Sequence, residues 1–325
     1  MTPHLTIVYV TGRRNPRFEW FAASLARQTG GDFRGISLVV VDFWAEGNGG
    51  EGGPLPNTRH AYFVERLPAG LELRHVPPKP TVWQGRYRRT RRNYFAAANA
   101  RNTGTCLAKD GWIAYVDDLS VLVPGWLEAA RHATRDGFIA LGAYRKVKGL
   151  RVQNGEILAP ADPGSPTDPA GVDSRWAHGH PTLPVPATGS WLYGCSVVMP
   201  VEAIIAANGW DERADARGLG SEDYLTGMLV ERHGYGFRYY RRMLTLEDDE
   251  AHGEDAPMVR EIATSPGRPD ESHVLLGHVR DTSVRRAPNP FELLELRRRI
   301  LDGGSFPVER VPEHDWYSGT RLEDL

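Results

Sequence analysis

The chain alternates between short apolar runs and helix-periodic stretches. Leu5 to Val10 is rich in β-branched residues and stops at Thr11-Gly12-Arg13-Arg14-Asn15-Pro16, the pattern of a buried strand followed by a turn. Phe18 to Gln28 carries Phe21, Ala22, Leu25 and Ala26 at helical spacing and ends at Gly30-Gly31. Ile36 to Phe43 is a second buried run, closing around Asp42. Strand, helix and strand in that order predict an α/β fold with a parallel sheet. Residues 44–58 are glycine-rich and predict a mobile loop. Leu71 to Val76 reads as a third strand, cut off by Pro77-Pro78-Lys79-Pro80. An alanine-rich helix from Tyr94 to Ala108 leads into Trp112-Ile113-Ala114-Tyr115-Val116-Asp117-Asp118, and Pro124-Gly125-Trp126 opens a further helix. Ile139 to Tyr144 is a strand pattern.

Residues 153–188 hold many prolines and glycines, which predicts a long substrate-side loop. Ser190 to Met199 reads as a strand, Val201 to Asn208 as a short helix, and Phe237 to Leu246 as a strand running into Glu247-Asp248-Asp249-Glu250-Ala251-His252. Beyond residue 256 the pattern weakens, apart from a helix at Phe291–Leu301. The expected organisation is one domain over 1–255, in halves 1–125 and 126–255, and a C-terminal extension over 256–325.

Composition narrows the function classes. A chain of 325 residues with 41% hydrophobic and 25% charged residues is that of a soluble globular enzyme. A net charge of −2 argues against a surface devoted to nucleic acid and leaves room only for a local basic patch. Cys106 and Cys195 are too few for a disulfide framework, which points to a reducing compartment. The N-terminus lacks a basic segment followed by an apolar one, and no apolar run is long enough to span a bilayer. The expected location is the cytoplasm.

Two acidic pairs carry the candidate chemistry. Asp117-Asp118 closes an apolar run, where carboxylates can hold a divalent cation against a phosphate or simply cap a turn. Glu222-Asp223 follows Gly218-Leu219-Gly220-Ser221 and opens a helical stretch. A carboxylate there can serve as a general base, or the pair can complement the helix dipole with Ser221 as N-cap.

The string Gly209-Trp210-Asp211-Glu212 … Gly220-Ser221-Glu222-Asp223-Tyr224-Leu225 resembles the acceptor-side signature of family 2 type glycosyltransferases with a GT-A fold, including galactosyltransferases. Ala100-Arg101-Asn102-Thr103-Gly104 … Tyr115-Val116-Asp117-Asp118 … Pro124-Gly125-Trp126, the first strand with Thr11-Gly12-Arg13, and Asp42 are similar to that family in the same order, over roughly residues 5–255. The resemblance implies a mixed, mostly parallel sheet flanked by helices and a nucleotide-sugar donor, for which a UDP-sugar is the expectation. It places Thr11, Gly12, Arg13, Asp42, Arg101, Asn102 and Asp117 on the donor side, with Thr11 and Asp42 near the nucleoside. It implies Asp118 as a ligand of Mn²⁺ or Mg²⁺, Asp223 as the base of an inverting transfer, and Glu222 as its neighbour holding the acceptor or the loop. The family's acidic motif often has a further Asp one or two residues along, where this chain has Leu119 and Ser120. Related galactosyltransferases supply a histidine metal ligand about thirty residues after the acidic pair. His252 lies at that spacing from Asp223, and an exposed histidine is the competing reading.

Trp191 is a candidate acceptor contact, although an aromatic in a strand-like run also fits a core, and Trp210 is a second candidate acceptor contact. Five arginines in the seven positions Arg86–Arg92, interleaved with aromatics, fit contact with DNA, a donor diphosphate, or plain solvent. The acceptor classes left open are a glycan, a small metabolite and a hydroxymethylated DNA base. The rivals to an enzyme of this class are a non-catalytic GT-A-like module that binds nucleic acid and a nucleotidyltransferase.

Overall fold

A computed structural model describes residues 3–45, 56–81, 96–160, 173–217, 222–251 and 281–307. Its centre is a nine-stranded mixed sheet. The first part follows the alternating pattern of the sequence: β1 (Leu5–Thr11), α1 (Phe18–Thr29), β2 (Ile36–Asp42), α2 (Pro56–Arg66), β3 (Glu72–Val76), α3 (Ala97–Leu107) and β4 (Trp112–Asp117). Every residue of β1 and β2 is buried, which is why these strands read as continuous apolar runs rather than alternating ones. Helix α2 lies partly within the stretch expected to be a loop, and α3 begins at Ala97, later than the alanine content suggested.

The second part continues with β5 (Ser120–Leu122), α4 (Trp126–Asp136), β6 (Ile139–Val147) and a two-stranded hairpin, β7 (Arg151–Gln153) with β8 (Glu156–Ala159). Then come β9 (Val185–Ala187), β10 (Ser196–Pro200), α5 (Val201–Ala206), α6 (Glu222–Arg232), β11 (Phe237–Asp248) and α7 (Leu293–Leu301). The expected strand over 190–199 is divided: Gly189–Trp191 is a 3-10 turn, and only Ser196–Pro200 pairs into the sheet.

Strand order is β3-β2-β1-β4-β10-β6-β11-β5, with β9 beside β11. β1 is parallel to β2 and β4, β2 to β3, and β6 to β11. β10 runs antiparallel between β4 and β6. Register aligns Thr11 with Asp42 and Val10 with Asp117, so the carboxyl ends of β1, β2 and β4 share one edge. Ser196 is opposite Val116, so the antiparallel β10 delivers its entry, Gly194-Cys195, to that same edge. Ligands of parallel α/β sheets bind beyond such strand ends.

Apolar clusters fill both faces of the sheet. Leu293, Leu296 and Ile300 of α7 join one of them, packing against α3. Helix α6 approaches the 189–191 turn backbone to backbone: a Cβ on Gly227 would lie 1.9 Å from the Gly189 carbonyl oxygen. Gly227→Ala is therefore expected to cost about 1–3 kcal/mol of stability, read as a lower urea midpoint at unchanged m-value. No helix among the described residues is long and apolar enough to cross a membrane.

Candidate functional site

The two carboxylates that end β4 face different ways. Asp118 is turned inward, exposing 10% of its side chain. One of its oxygens accepts from Thr11 Oγ1 at 2.8 Å and the other from Arg13 Nε at 3.0 Å. Burial raises its pKa, against the pull of Arg13 and the Thr11 hydrogen bond. The backbone explains the turn. Leu119 sits in the left-handed region at φ 59°, fixed by its N–H to the Pro16 carbonyl and by its own carbonyl accepting from the Asp248 N–H. A leucine there carries strain of roughly 1–2 kcal/mol, so the surrounding bonds hold the geometry. Asp117 exposes 37% of its side chain and is the outward member of the pair. Thr11 and Arg13 are thus anchors of Asp118, and the Gly12 carbonyl accepts from Trp44 Nε1.

Asp42, expected near a nucleoside, ends β2 with its carboxylate engaged by protein donors. It is fully buried, and Arg59 donates to both of its oxygens, at 2.6 and 3.0 Å. The Trp44 N–H and His75 Nε2 complete its shell. The same guanidinium donates to the carbonyls of Arg13 and Arg14, so this buried pair pins the loop that follows β1. Neither Arg59 nor His75 stands in a motif; one is on a helix not foreseen and the other on an edge strand.

Glu222 and Asp223 start α6, where the helix dipole favours negative charge. Between them and Asp117 lies Arg101 of α3. Its Nη1 donates to Glu222 at 2.9 Å and to Asp223 at 3.0 Å, and its Nη2 reaches the Asp117 carboxylate at 3.2 and 3.4 Å. The two acidic pairs of the sequence are therefore neighbours in space, joined by one guanidinium. Burial pushes Asp223 up to about 7; Arg101 and a hydrogen bond from the Gly194 N–H oppose the shift, and Glu222 and Asp117 reinforce it. Burial opposes the charge of Arg101, yet Asp223, Asp117 and Glu222 together raise its pKa.

Asn102 and Trp210, read as donor and acceptor contacts, are fully buried and belong to the scaffold. The Asn102 amide donates to the Trp210 carbonyl and to Glu212, and accepts from the Trp210 N–H. Lys79 pairs with Glu212 at 3.0 Å, and Asp215 accepts from the Ala98 and Asn99 N–H groups at the start of α3. Burial holds the Asp215 pKa well above the usual carboxylate range. Trp191 is half-buried and packs edge-on against Tyr239, with ring centroids 5.9 Å apart. Tyr144 and Tyr193, not singled out by the sequence, make an edge-to-face pair at 5.5 Å next to Gly194. His252, Gly218–Ser221 and Arg86–Arg92 lie outside the described residues.

The donor set suits a hard cation in one limited way. Among the described residues no three His, Cys, Asp or Glu side chains are grouped to hold a metal. Asp118 accepts one hydrogen bond on each oxygen and Asp117 accepts from Arg101 on both of its own, and with 37% of its side chain exposed Asp117 is the more accessible carboxylate of the pair. Three carboxylates share one guanidinium here, an excess of negative charge. Mg²⁺ is commonly bound through one or two carboxylates, with phosphate oxygens and water completing its shell, and this arrangement fits that mode.

No family model matches the sequence, and no curated protein matches it either. Solved structures do resemble the fold. Staphylococcus aureus TarS 1–349 in complex with UDP-GlcNAc is similar over 92% of this chain and 71% of that one, with TM-score 0.50 and 12% identity. TarS 1–349 in complex with UDP is similar over 76% of this chain and 58% of that one, with TM-score 0.46 and 12% identity, so this chain spans less than two thirds of that structure's length. The architecture is that of the GT-A fold: a central sheet in which β1, β2, β3, β4, β6 and β11 run in one direction, flanked by helices.

Proposed function

We propose that the protein is a glycosyltransferase that moves a sugar from a nucleotide-sugar, with a UDP-sugar as the donor to test, to an acceptor hydroxyl with inversion. One observation carries the reading: Asp223, a carboxylate of raised pKa at a helix start, is tied through Arg101 to Asp117 at the end of a parallel strand. Asp223 takes the acceptor hydroxyl proton while that oxygen attacks the anomeric carbon and the bond to the diphosphate breaks. Glu222 shares the guanidinium and keeps Asp223 at the helix start. Asp117, the more exposed of the strand-end pair, and Asp118 behind it are the residues that would hold a Mn²⁺ or Mg²⁺ beside the departing diphosphate. When bound, such an ion offsets the charge of the leaving group.

The raised pKa of Asp223 sets the pH dependence. A base acts in its ionised form, so turnover is complete above about pH 7 and is lost as pH falls through it. The expected acidic limb declines about tenfold per pH unit. A pH–rate profile of UDP release measures it, and a limb near pH 4 would show that the Asp223 carboxyl titrates in the ordinary range, leaving Asp223→Asn to decide its role.

The TarS structure that shares the fold holds UDP-GlcNAc, so UDP-GlcNAc heads the donor panel. UDP release from each nucleotide-sugar, with and without Mn²⁺ and then with candidate glycan, small-molecule or hydroxymethylated-DNA acceptors, tests the proposal. Release from one donor, enhanced by one acceptor, supports it. Silence across the panel with no thermal shift by UDP favours a binding module instead.

A further inference from the structure

Arg101 has the residue type and motif of a phosphate contact, but its side chain is only 4% exposed and its guanidinium donates to carboxylates of the protein. We infer that Arg101 is a positioning residue, a strap that sets the spacing between the donor-side carboxylate Asp117 and the base Asp223. The inference rests on the glycosyltransferase reading for what the spacing serves, while the strap itself stands on geometry.

The guanidinium occupies a slot closed on two sides. The Trp210 ring lies 4.8 Å from its carbon, and a Cβ on Gly194 would come within 2.4 Å of that carbon. A side chain at position 194 would displace the guanidinium, which accounts for glycine beside Tyr193. The helix that carries Arg101 is fixed as well: Asp215 bonds the Ala98 and Asn99 N–H groups, and Asn102 is bonded on both sides of the Trp210 peptide. Trp210 and Asn102 therefore act through Arg101, which gives the buried acceptor-side motif a place in the site without contact to a ligand.

The charges make the strap necessary. Asp117, Glu222 and Asp223 come from two elements distant in sequence, and like charges so close repel in a partly buried site. One fork with separate nitrogens satisfies both sides at once: Nη1 serves the α6 pair and Nη2 serves β4. Among the described residues Nε is buried without a hydrogen-bond partner, so within the slot the fork is held by its bonds to the carboxylates. An ammonium is a single point charge and reaches one side or the other.

The test uses the full chain with Arg101→Lys, Arg101→Gln, Asp223→Asn and the Arg101→Gln/Asp223→Asn double variant. UDP-GlcNAc hydrolysis gives kcat and KM, calorimetry gives UDP affinity, and urea unfolding gives stability. Arg101→Lys is expected to lose about 100-fold in kcat with KM and UDP affinity close to wild type, because misplacement of the base by about 1 Å has that scale of effect. Arg101→Gln is expected to lower the urea midpoint, and adding Asp223→Asn to restore part of it, a non-additive cycle.

Wild-type turnover in Arg101→Lys overturns the inference. So does a loss of UDP affinity in proportion to kcat, which would make Arg101 a donor ligand. An additive cycle overturns it too. A wild-type protein that releases no UDP from any donor fails the glycosyltransferase reading, and the stability cycle then decides the strap on its own.

Discussion

Asp223→Asn is expected to reduce UDP release by about 10³-fold, within the range by which a positioned base accelerates proton transfer. The amide keeps the shape of the side chain and removes its capacity to take a proton. Arg101 retains Glu222 and Asp117, so the site stays assembled and UDP affinity is expected to remain near wild type. A fall in kcat with little change in donor KM is the signature of a group that acts in the transition state. Wild-type turnover in a folded Asp223→Asn protein would end the assignment. The neighbouring Glu222→Gln would then be the next variant to measure.

The largest stability effect is expected at Asp42, the buried end of β2. Asp42→Ala leaves the Arg59 guanidinium buried with no countercharge, and breaking such a pair costs about 3–5 kcal/mol. Arg59 also holds the Arg13 and Arg14 carbonyls, so the loop after β1, and with it Arg13 against Asp118, is expected to loosen in the same variant. Equilibrium urea unfolding measures the loss. A cost below about 1 kcal/mol is what an exposed ion pair gives, and it would show that the pair does not hold the loop after β1.

These two residues mark how far the sequence can be read. The strand ends at Asp42 and Asp117 were legible because β1, β2 and β4 are buried on both faces and read as unbroken apolar runs. The direction of each carboxylate was not, since it depends on Leu119 taking a left-handed turn and on Arg59 arriving from α2. The order of the acidic motifs pointed to one site, and Arg101 brings them together; nothing local to Arg101 states that its partners lie 121 and 122 residues away. Trp210 looked like a ligand contact because it borders an acidic motif. Its full burial against Tyr115 and Arg101 comes from tertiary packing, to which motif spacing is blind. Tyr144 and Tyr193 carried no signal, because a tyrosine at the end of an apolar run and one in a glycine-bearing loop look ordinary until β10 brings them side by side.

The cap of α3 has a consequence for synthesis on the ribosome. The first amides of this helix are bonded by Asp215, 116 residues later than Asn99 in the chain. At a translation speed of about 10 residues per second, α3 waits roughly ten seconds after it is made before its cap exists. During that interval the apolar face meant for Leu293 and Ile300 also lacks its cover. The first half is therefore expected to expose this face until the second half is made, and a fragment ending at mid-chain is expected to have an open helix start and lower stability than the same segment in the whole chain.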